Sequence, residues 1–204
     1  MTRPLTGWRS CSAAGTAASI ATNPIANAAL RIMIVAPDAM TLRARPASLA
    51  DAPAITRIYN EGIEDRLGTF ETRLRTDDDV RGWFDGRHPI VVVEGGQEVV
   101  AFASTSSYRS RPCYDGVAEF SVYVARSARA QGAGRVAMDS LIAATAAAGF
   151  WKLVSRVFVE NIASRRLLAA VGFREVGTYH KHGKLDGAWR DVVIVERLIP
   201  ENIG

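Results

Sequence analysis

Two features of the chain are suited by residue type and spacing to chemistry: a glycine turn, and a carboxylate ten residues upstream of its start. The turn is Arg129-Ala130-Gln131-Gly132-Ala133-Gly134, preceded by the apolar run Phe120 to Ala125 and followed by Arg135 to Ala148, which is helical in composition and free of proline. Strand, glycine turn and helix start, in that order, build a nest for an anion. A helix N-terminus offers unpaired N–H groups and roughly half a positive charge, so main chain alone can hold a diphosphate there. Glycine lets such a ligand approach the backbone closely. Two other phosphate signatures do not fit, since no lysine follows the glycines and position 137 is alanine. The plain alternative is a strand-to-helix turn with small residues for packing.

The carboxylate is Glu119, which interrupts the apolar strand Val117-Ala118-Glu119-Phe120-Ser121-Val122-Tyr123-Val124. A carboxylate in a half-buried strand is costly unless it is paired or used. Just upstream of an anion-holding turn it is a candidate general base; a solvent-facing position or a structural ion pair with an arginine are the other readings. A third feature is Asn161, which can cap a helix.

The elements that must position these residues are legible in order from Thr41. Thr41 to Arg45 reads as a short strand broken by Pro46. Ser48 with Asp51 forms a capping pair for a helix carrying Ile55, Ile58, Tyr59 and Ile63 through about Asp65. After a loop, Arg66 to Arg75, Thr76 and Asp79 cap a second helix carrying Val80, Trp83 and Phe84. Ile90 to Glu94 and Glu98 to Ser106 pair across Gly95-Gly96. Val117 to Ala125, the glycine-led helix, Leu153 to Val159, a helix opened by Asn161, and strands at Phe173 to His180 and Val192 to Leu198 complete the chain. The order is β-α-α-β-β-β-α-β-α-β-β.

Composition fits one globular domain: 204 residues, 48% hydrophobic and 23% charged. The formal charge is +4, but basic residues are interleaved with acids and no basic block of five occurs, so nucleic-acid binding is not expected. Cys11 and Cys113 are the only cysteines, which supports neither a disulfide framework nor a metal site. No stretch reaches membrane-spanning length. Residues 1–40, rich in Ala, Thr, Ser and Asn with Asp38 the only acid, read as a disordered or over-annotated extension, and residues 41–204 as the domain.

Arg129, Gly132 and Gly134 match the three fixed positions of Arg/Gln-x-x-Gly-x-Gly/Ala, so the turn resembles the acyl-CoA-binding motif of the GNAT superfamily of N-acetyltransferases. The element order agrees with that family over roughly residues 41–198. The resemblance implies a GNAT fold of α/β (α+β) type, with a mixed central sheet and helices on both faces, and acetyl-CoA as cofactor. It also implies a pyrophosphate held by the amides of Gln131, Gly132, Ala133, Gly134 and Arg135 beside Arg129. Val122, Tyr123 and Val124 would line the pantetheine, with the Val122 N–H polarising the thioester carbonyl. Asn161 and Ser164, in Asn161-Ile162-Ala163-Ser164, are similar to a second cofactor-side signature.

Glu119 within Glu-x-Ser-Val-Tyr-Val narrows the resemblance to phosphinothricin and arsinothricin N-acetyltransferases. The segments Thr69-Phe70-Glu71-Thr72, Tyr108 to Tyr114 and Gly187-Ala188-Trp189-Arg190-Asp191-Val192 agree with it, Ala188 replacing a glycine. The implied reaction is acetylation of the α-amino group of a small amino acid or antibiotic analogue, giving resistance. Glu119 would take the amine proton, Arg111 would grip an anionic group, with Arg73 and Arg75 as secondary candidates, and Phe70, Thr72, Tyr108 and Tyr114 would shape the pocket. The sequence departs from the pattern at Leu168, where the family often carries Tyr or His to protonate the leaving thiolate. Tyr123, Tyr179 and His180 are other proton donors, and none is singled out. The resemblance further implies a cytoplasmic homodimer. The alternatives are an acetyltransferase for protein N-termini and a catalytically silent acyl-CoA sensor.

Overall fold

The computed structural model describes residues 41–204, so the reading of residues 1–40 lies outside the described part of the chain. Strand β1 (Leu42–Pro46) ends at its proline, and Ser48 accepts no further strand pairing. Instead its backbone N–H donates to Asp51 Oδ2 at 2.7 Å, opening a single 3-10 turn that runs into α1 (Ala52–Glu64). Arg45 of β1 donates to both oxygens of Asp51 at 2.8 Å, tying the strand to the helix start. That guanidinium pulls the Asp51 carboxyl down to about 2. Thr76 and Asp79 cap α2 (Asp77–Arg81) reciprocally, at 3.2 and 2.8 Å.

The strands are β2 (Ile90–Gly95), β3 (Glu98–Ser107), β4 (Val117–Val124), β5 (Lys152–Phe158), β6 (Arg174–Leu185) and β7 (Ala188–Leu198), with α3 (Ala133–Ala147) after β4 and α4 (Ile162–Ala170) after β5. They form one seven-stranded sheet in the order β1-β2-β3-β4-β5-β7-β6, antiparallel except between β4 and β5. The mixed sheet and the element order are those read from the sequence.

Alternation along the strands divides the core between the two faces. Val91, Val93, Ala101, Ala103 and Phe120 meet Ala137, Met138 and Leu141 of α3 and Leu168 of α4. Ile90, Val92 and Phe102 meet Ile55 and Ile58 of α1 and Val80 of α2. Ile55 and Ile58 are fully buried, each contributing about 1.5–3 kcal/mol relative to exposure. Helices therefore cover both faces, as expected.

Several boundaries differ from the sequence reading, and α2 ends at Arg81, so Trp83 and Phe84, read as part of that helix, lie beyond it. The β2–β3 turn falls on Gly96-Gln97, one residue later, because Gly96 supplies the positive φ of 66° that the turn needs. The last two strands run longer, joined by Asp186-Gly187, both with positive φ, a two-residue hairpin that an Asp-Gly pair favours.

Candidate active site

The β4–β5 register pairs Val117 with Lys152, Ala118 with Leu153 and Glu119 with Val154, and stops there. Beyond this point β4 pairs only with β3, and β5 only with β7. The two parallel strands splay, and a cavity of about 770 Å³ opens between them. Ser121 to Val124 line one side, Ser155 to Phe158 the other, and the glycine turn closes one end. A second hollow of about 290 Å³ beside α3 and the end of β7 shares none of these residues.

Glu119 stands where the strands part, its side chain partly exposed to the cavity. Its hydrogen-bond partner among the described residues is Arg156, two positions past Val154 on the same face of the sheet. The β3 partner of Glu119 is Ser106, so the loop carrying Tyr108, Arg111 and Tyr114 leaves the sheet beside the carboxylate. Tyr108 and Tyr114 pack edge to face at 5.7 Å, while Arg111 is exposed.

At the other end, Gly132 is the N-cap of α3 with φ 89°, and Ala130 is also left-handed at φ 60°. The amides of Gln131, Gly132, Ala133 and Gly134 donate to no backbone carbonyl among the described residues, whereas the Arg135 amide donates to Gly132 O at 3.0 Å. The free donors thus run from Gln131 to Gly134. The two glycines have separate reasons: Gly132 for its backbone conformation, Gly134 for packing, since a Cβ there would lie 3.1 Å from Leu167 Cδ2 and 3.3 Å from Val124 Cγ2. Arg129 holds the turn to the strand, its Nε donating to Val124 O at 3.2 Å and its guanidinium pairing with Asp65 of the segment after α1. Burial alone would raise the Asp65 carboxyl; hydrogen bonds from Arg126 and Arg129 outweigh it and hold the group below its ordinary value. Because Val124 O faces the gap, alternation turns the main-chain N–H and C=O of Val122 the same way.

Asn161 uses both ends of its amide. Oδ1 accepts from Ser164 N at 3.1 Å, capping α4, and Nδ2 donates to Leu67 O at 2.9 Å, fixing the loop after α1 across the cavity. Leu168 is buried in the core that α3 and α4 share. Tyr123 lies against Phe102 at 5.5 Å and Tyr59 at 4.9 Å, in space left by Gly62, where a Cβ would come within 2.6 Å of the ring. Burial pushes its phenol up.

Phe70 closes the remaining wall, edge to face with Phe158 at 4.7 Å and over Gly183 of β6, with His182 beside it at 6.3 Å. His182 reaches the cavity because β6 bulges between Tyr179 and Gly183. Asp191 pins that bulge: Oδ1 accepts from Lys181 N at 2.7 Å and Oδ2 pairs with His180 Nδ1 at 2.8 Å. The Lys181 N–H, then His180, hold the Asp191 carboxyl below its ordinary value.

The cavity therefore brings together Glu119, Val122, Tyr123, Val124, Arg129, Gly132, Ala133, Gly134, Arg135, Asn161, Ser164 and Phe70. Gln131 sits in the turn with Nε2 on Ser127 O at 2.9 Å. Thr72, Arg73, Arg75, Tyr108, Arg111 and Tyr114 lie outside the lining: Arg73 is held by Asp79 at 2.9 and 3.1 Å, Arg75 by Glu71 at 2.7 Å, and the other loop leaves the sheet at Ser107 with Arg111 exposed. Residues not foreseen include Arg156, Tyr59, Asp65, Leu67 and His182. Arg156 had a readable signal, since it breaks the apolar run Leu153 to Val159 as Glu119 breaks its own.

A splayed parallel strand pair, with free amides at a helix start on one side and a carboxylate at the fork, is the architecture of a transferase for acyl groups carried on a phosphorylated handle. Residues 55–173 match the acetyltransferase (GNAT) family, and the chain belongs to that family. It is 33% identical over 168 residues to the phosphinothricin N-acetyltransferase of Streptomyces coelicolor, covering 79% of this chain and 98% of that one. With the L-methionine sulfoximine/L-methionine sulfone acetyltransferase of Salmonella typhimurium it shares 29% identity over 167 residues, 80% and 96% of the two chains. A solved GNAT superfamily phosphinothricin acetyltransferase from Sinorhizobium meliloti, in complex with acetyl-CoA, superposes with a TM-score of 0.73 at 27% identity, covering 78% and 89%.

Proposed function

We propose that the protein moves the acetyl group of acetyl-CoA onto the α-amino group of a small amino acid or an analogue such as phosphinothricin, methionine sulfoximine or arsinothricin. The observation that carries this reading is the fork between β4 and β5, which sets Glu119 and the free amides of Gly132 to Gly134 on one cavity. The left-handed Gly132 and its unpaired neighbours suit a diphosphate, and Arg135 adds a cation at the same helix start. Bound along this cavity, acetyl-CoA supplies an activated acetyl thioester.

The chain's own residues then divide the work. Glu119 takes a proton from the substrate ammonium, directly or through water, leaving the neutral amine that can attack. The Val122 N–H, on the gap side of β4, offers a donor where negative charge develops on an acyl oxygen. Asn161 and Ser164 shape the cofactor side and Phe70 limits the substrate end; Tyr108, Arg111 and Tyr114 stand outside the lining, on the loop that leaves the sheet beside Glu119. Leu168 donates no proton, and a thiol with a pKa near roughly 8.5 leaves without one.

Detoxification of a glutamate-like antibiotic is the biological sense of this reading, since acetylation removes the ammonium charge. A cytoplasmic location and a homodimer belong to it as well. Strand β6 is an edge strand exposed along nearly its whole length, and Val176, Tyr179 and Trp189 present apolar surface there. The test is turnover: purified protein, acetyl-CoA and a panel of amino acids with the three analogues, followed by release of free thiol. Release with at least one free amino acid supports the reading, and acetyl-CoA binding without acetylation of any amine overturns it. Light scattering on the same sample gives twice the chain mass for the dimer.

A further inference from the structure

The cations that line the cavity among the described residues are Arg129, Arg135 and Arg156, with His182 beside them. Arg129 is fixed by Val124 O and Asp65, and Arg135 stands on α3 at the glycine turn. Arg156 alone shares the fork with Glu119. The arginines of the facing loop are committed elsewhere, Arg73 to Asp79 and Arg75 to Glu71. The Glu119 and Arg156 side chains have only each other as hydrogen-bond partners among the described residues, and unlike the Arg73 and Arg75 pairs both members line the cavity. Asp65 in contrast is held by two arginines, and Asp79 by a guanidinium and the cap of α2.

We infer that the Glu119–Arg156 pair is a receptor for an α-amino acid zwitterion, with Arg156 binding the substrate carboxylate while Glu119 receives the ammonium. This rests on the function proposed above and narrows its substrate to molecules with a free carboxylate next to the amine. The pair and the ligand carry opposite charges in the same short span, so the ligand can enter between them and satisfy both. Net charge at the fork is zero before and after entry, and no unpaired charge is left in the cavity. Arg156 is 43% exposed, and an ion pair this open is weak, so separating it costs little. What replaces it is stronger, since a planar guanidinium binds a carboxylate through two parallel hydrogen bonds. Glu119, freed from Arg156, then faces the ammonium whose proton it accepts. A peptide N-terminus has an amide where the zwitterion has its carboxylate, so the same device rejects protein substrates.

The test compares two forms of one substrate. The best amino acid from the turnover panel is assayed beside its α-carboxamide, for wild type, Arg156→Met and Arg156→Lys, with coenzyme A affinity and melting temperature recorded for each. Wild type is expected to prefer the free acid by roughly 100-fold in kcat/KM. Arg156→Met should reduce that preference to within about threefold through a higher KM for the acid, at unchanged coenzyme A affinity, and Arg156→Lys should restore part of it. Equal use of acid and carboxamide by wild type, or an undiminished preference in a folded Arg156→Met protein, overturns the inference while leaving the acetyltransferase reading intact. Absence of turnover on any amine removes that reading itself.

Discussion

Glu119 and Val154 are the last paired residues of the parallel strands β4 and β5, and the cavity begins where their pairing ends. The carboxylate is thereby exposed toward the gap although its strand neighbours Ala118 and Phe120 are buried. Glu119→Gln keeps the shape and removes the base. We expect kcat near neutral pH to fall about 100-fold, with coenzyme A affinity changed less than about twofold. A rate equal to wild type would remove Glu119 from proton transfer.

Gly132 holds φ 89°, where a side chain strains the backbone by about 1–2 kcal/mol. Gly132→Ala should lower stability by that amount and weaken coenzyme A binding. Gly134→Val, by contrast, presses on Leu167 and Val124 and should lower the melting temperature while splaying α4 from β4. Calorimetric titration and thermal unfolding of the two variants separate the conformational role from the packing role. Equal effects of both would contradict the division.

Asp51 shows the sign of an acid effect. Its carboxyl is depressed from an ordinary 3.8 to about 2, chiefly by the Arg45 hydrogen bonds. The stabilisation is full above the ordinary value and lost as pH falls through the folded one, so it disappears between about pH 5 and 2. The shift corresponds to about 2 kcal/mol. Denaturant unfolding of Asp51→Asn should be weaker than wild type at pH 7 and converge with it near pH 2; a constant gap would refute the linkage.

Asp191 offers a local check. Asp191→Ala removes the acceptor that holds Lys181 N–H at 2.7 Å and frees the β6 bulge beside His182. Exchange of the Lys181 amide should quicken by about tenfold once its carboxylate acceptor is gone. Unchanged protection would show that β7 pairing fixes the bulge without the carboxylate.

Much of the fold was legible because local signals were strong. Ser48 with Asp51, Thr76 with Asp79, Gly132 and Asn161 each mark a helix start that a side chain or a glycine alone can specify. The cofactor end of the cavity was readable for the same reason, being built from consecutive residues. The substrate end was not. Arg156 meets Glu119, and Asn161 meets Leu67, across 37 and 94 residues of sequence, and no local pattern encodes such distances. Arg73 and Arg75 illustrate the converse: proximity to Phe70 in sequence suggested the pocket, but Asp79 and Glu71 offered each a nearer carboxylate. The splay itself depends on where pairing stops, which β4 and β5 do not announce in composition.

The most direct test of the account is a titration of 15N-labelled protein with coenzyme A, and separately with pantetheine, which lacks the diphosphate. The amides of Gln131, Gly132, Ala133 and Gly134, which have no backbone acceptor among the described residues, should shift most with coenzyme A and stay in place with pantetheine. Resonances that remain fixed with coenzyme A, or that move equally with both, would contradict the claim that this turn holds the diphosphate.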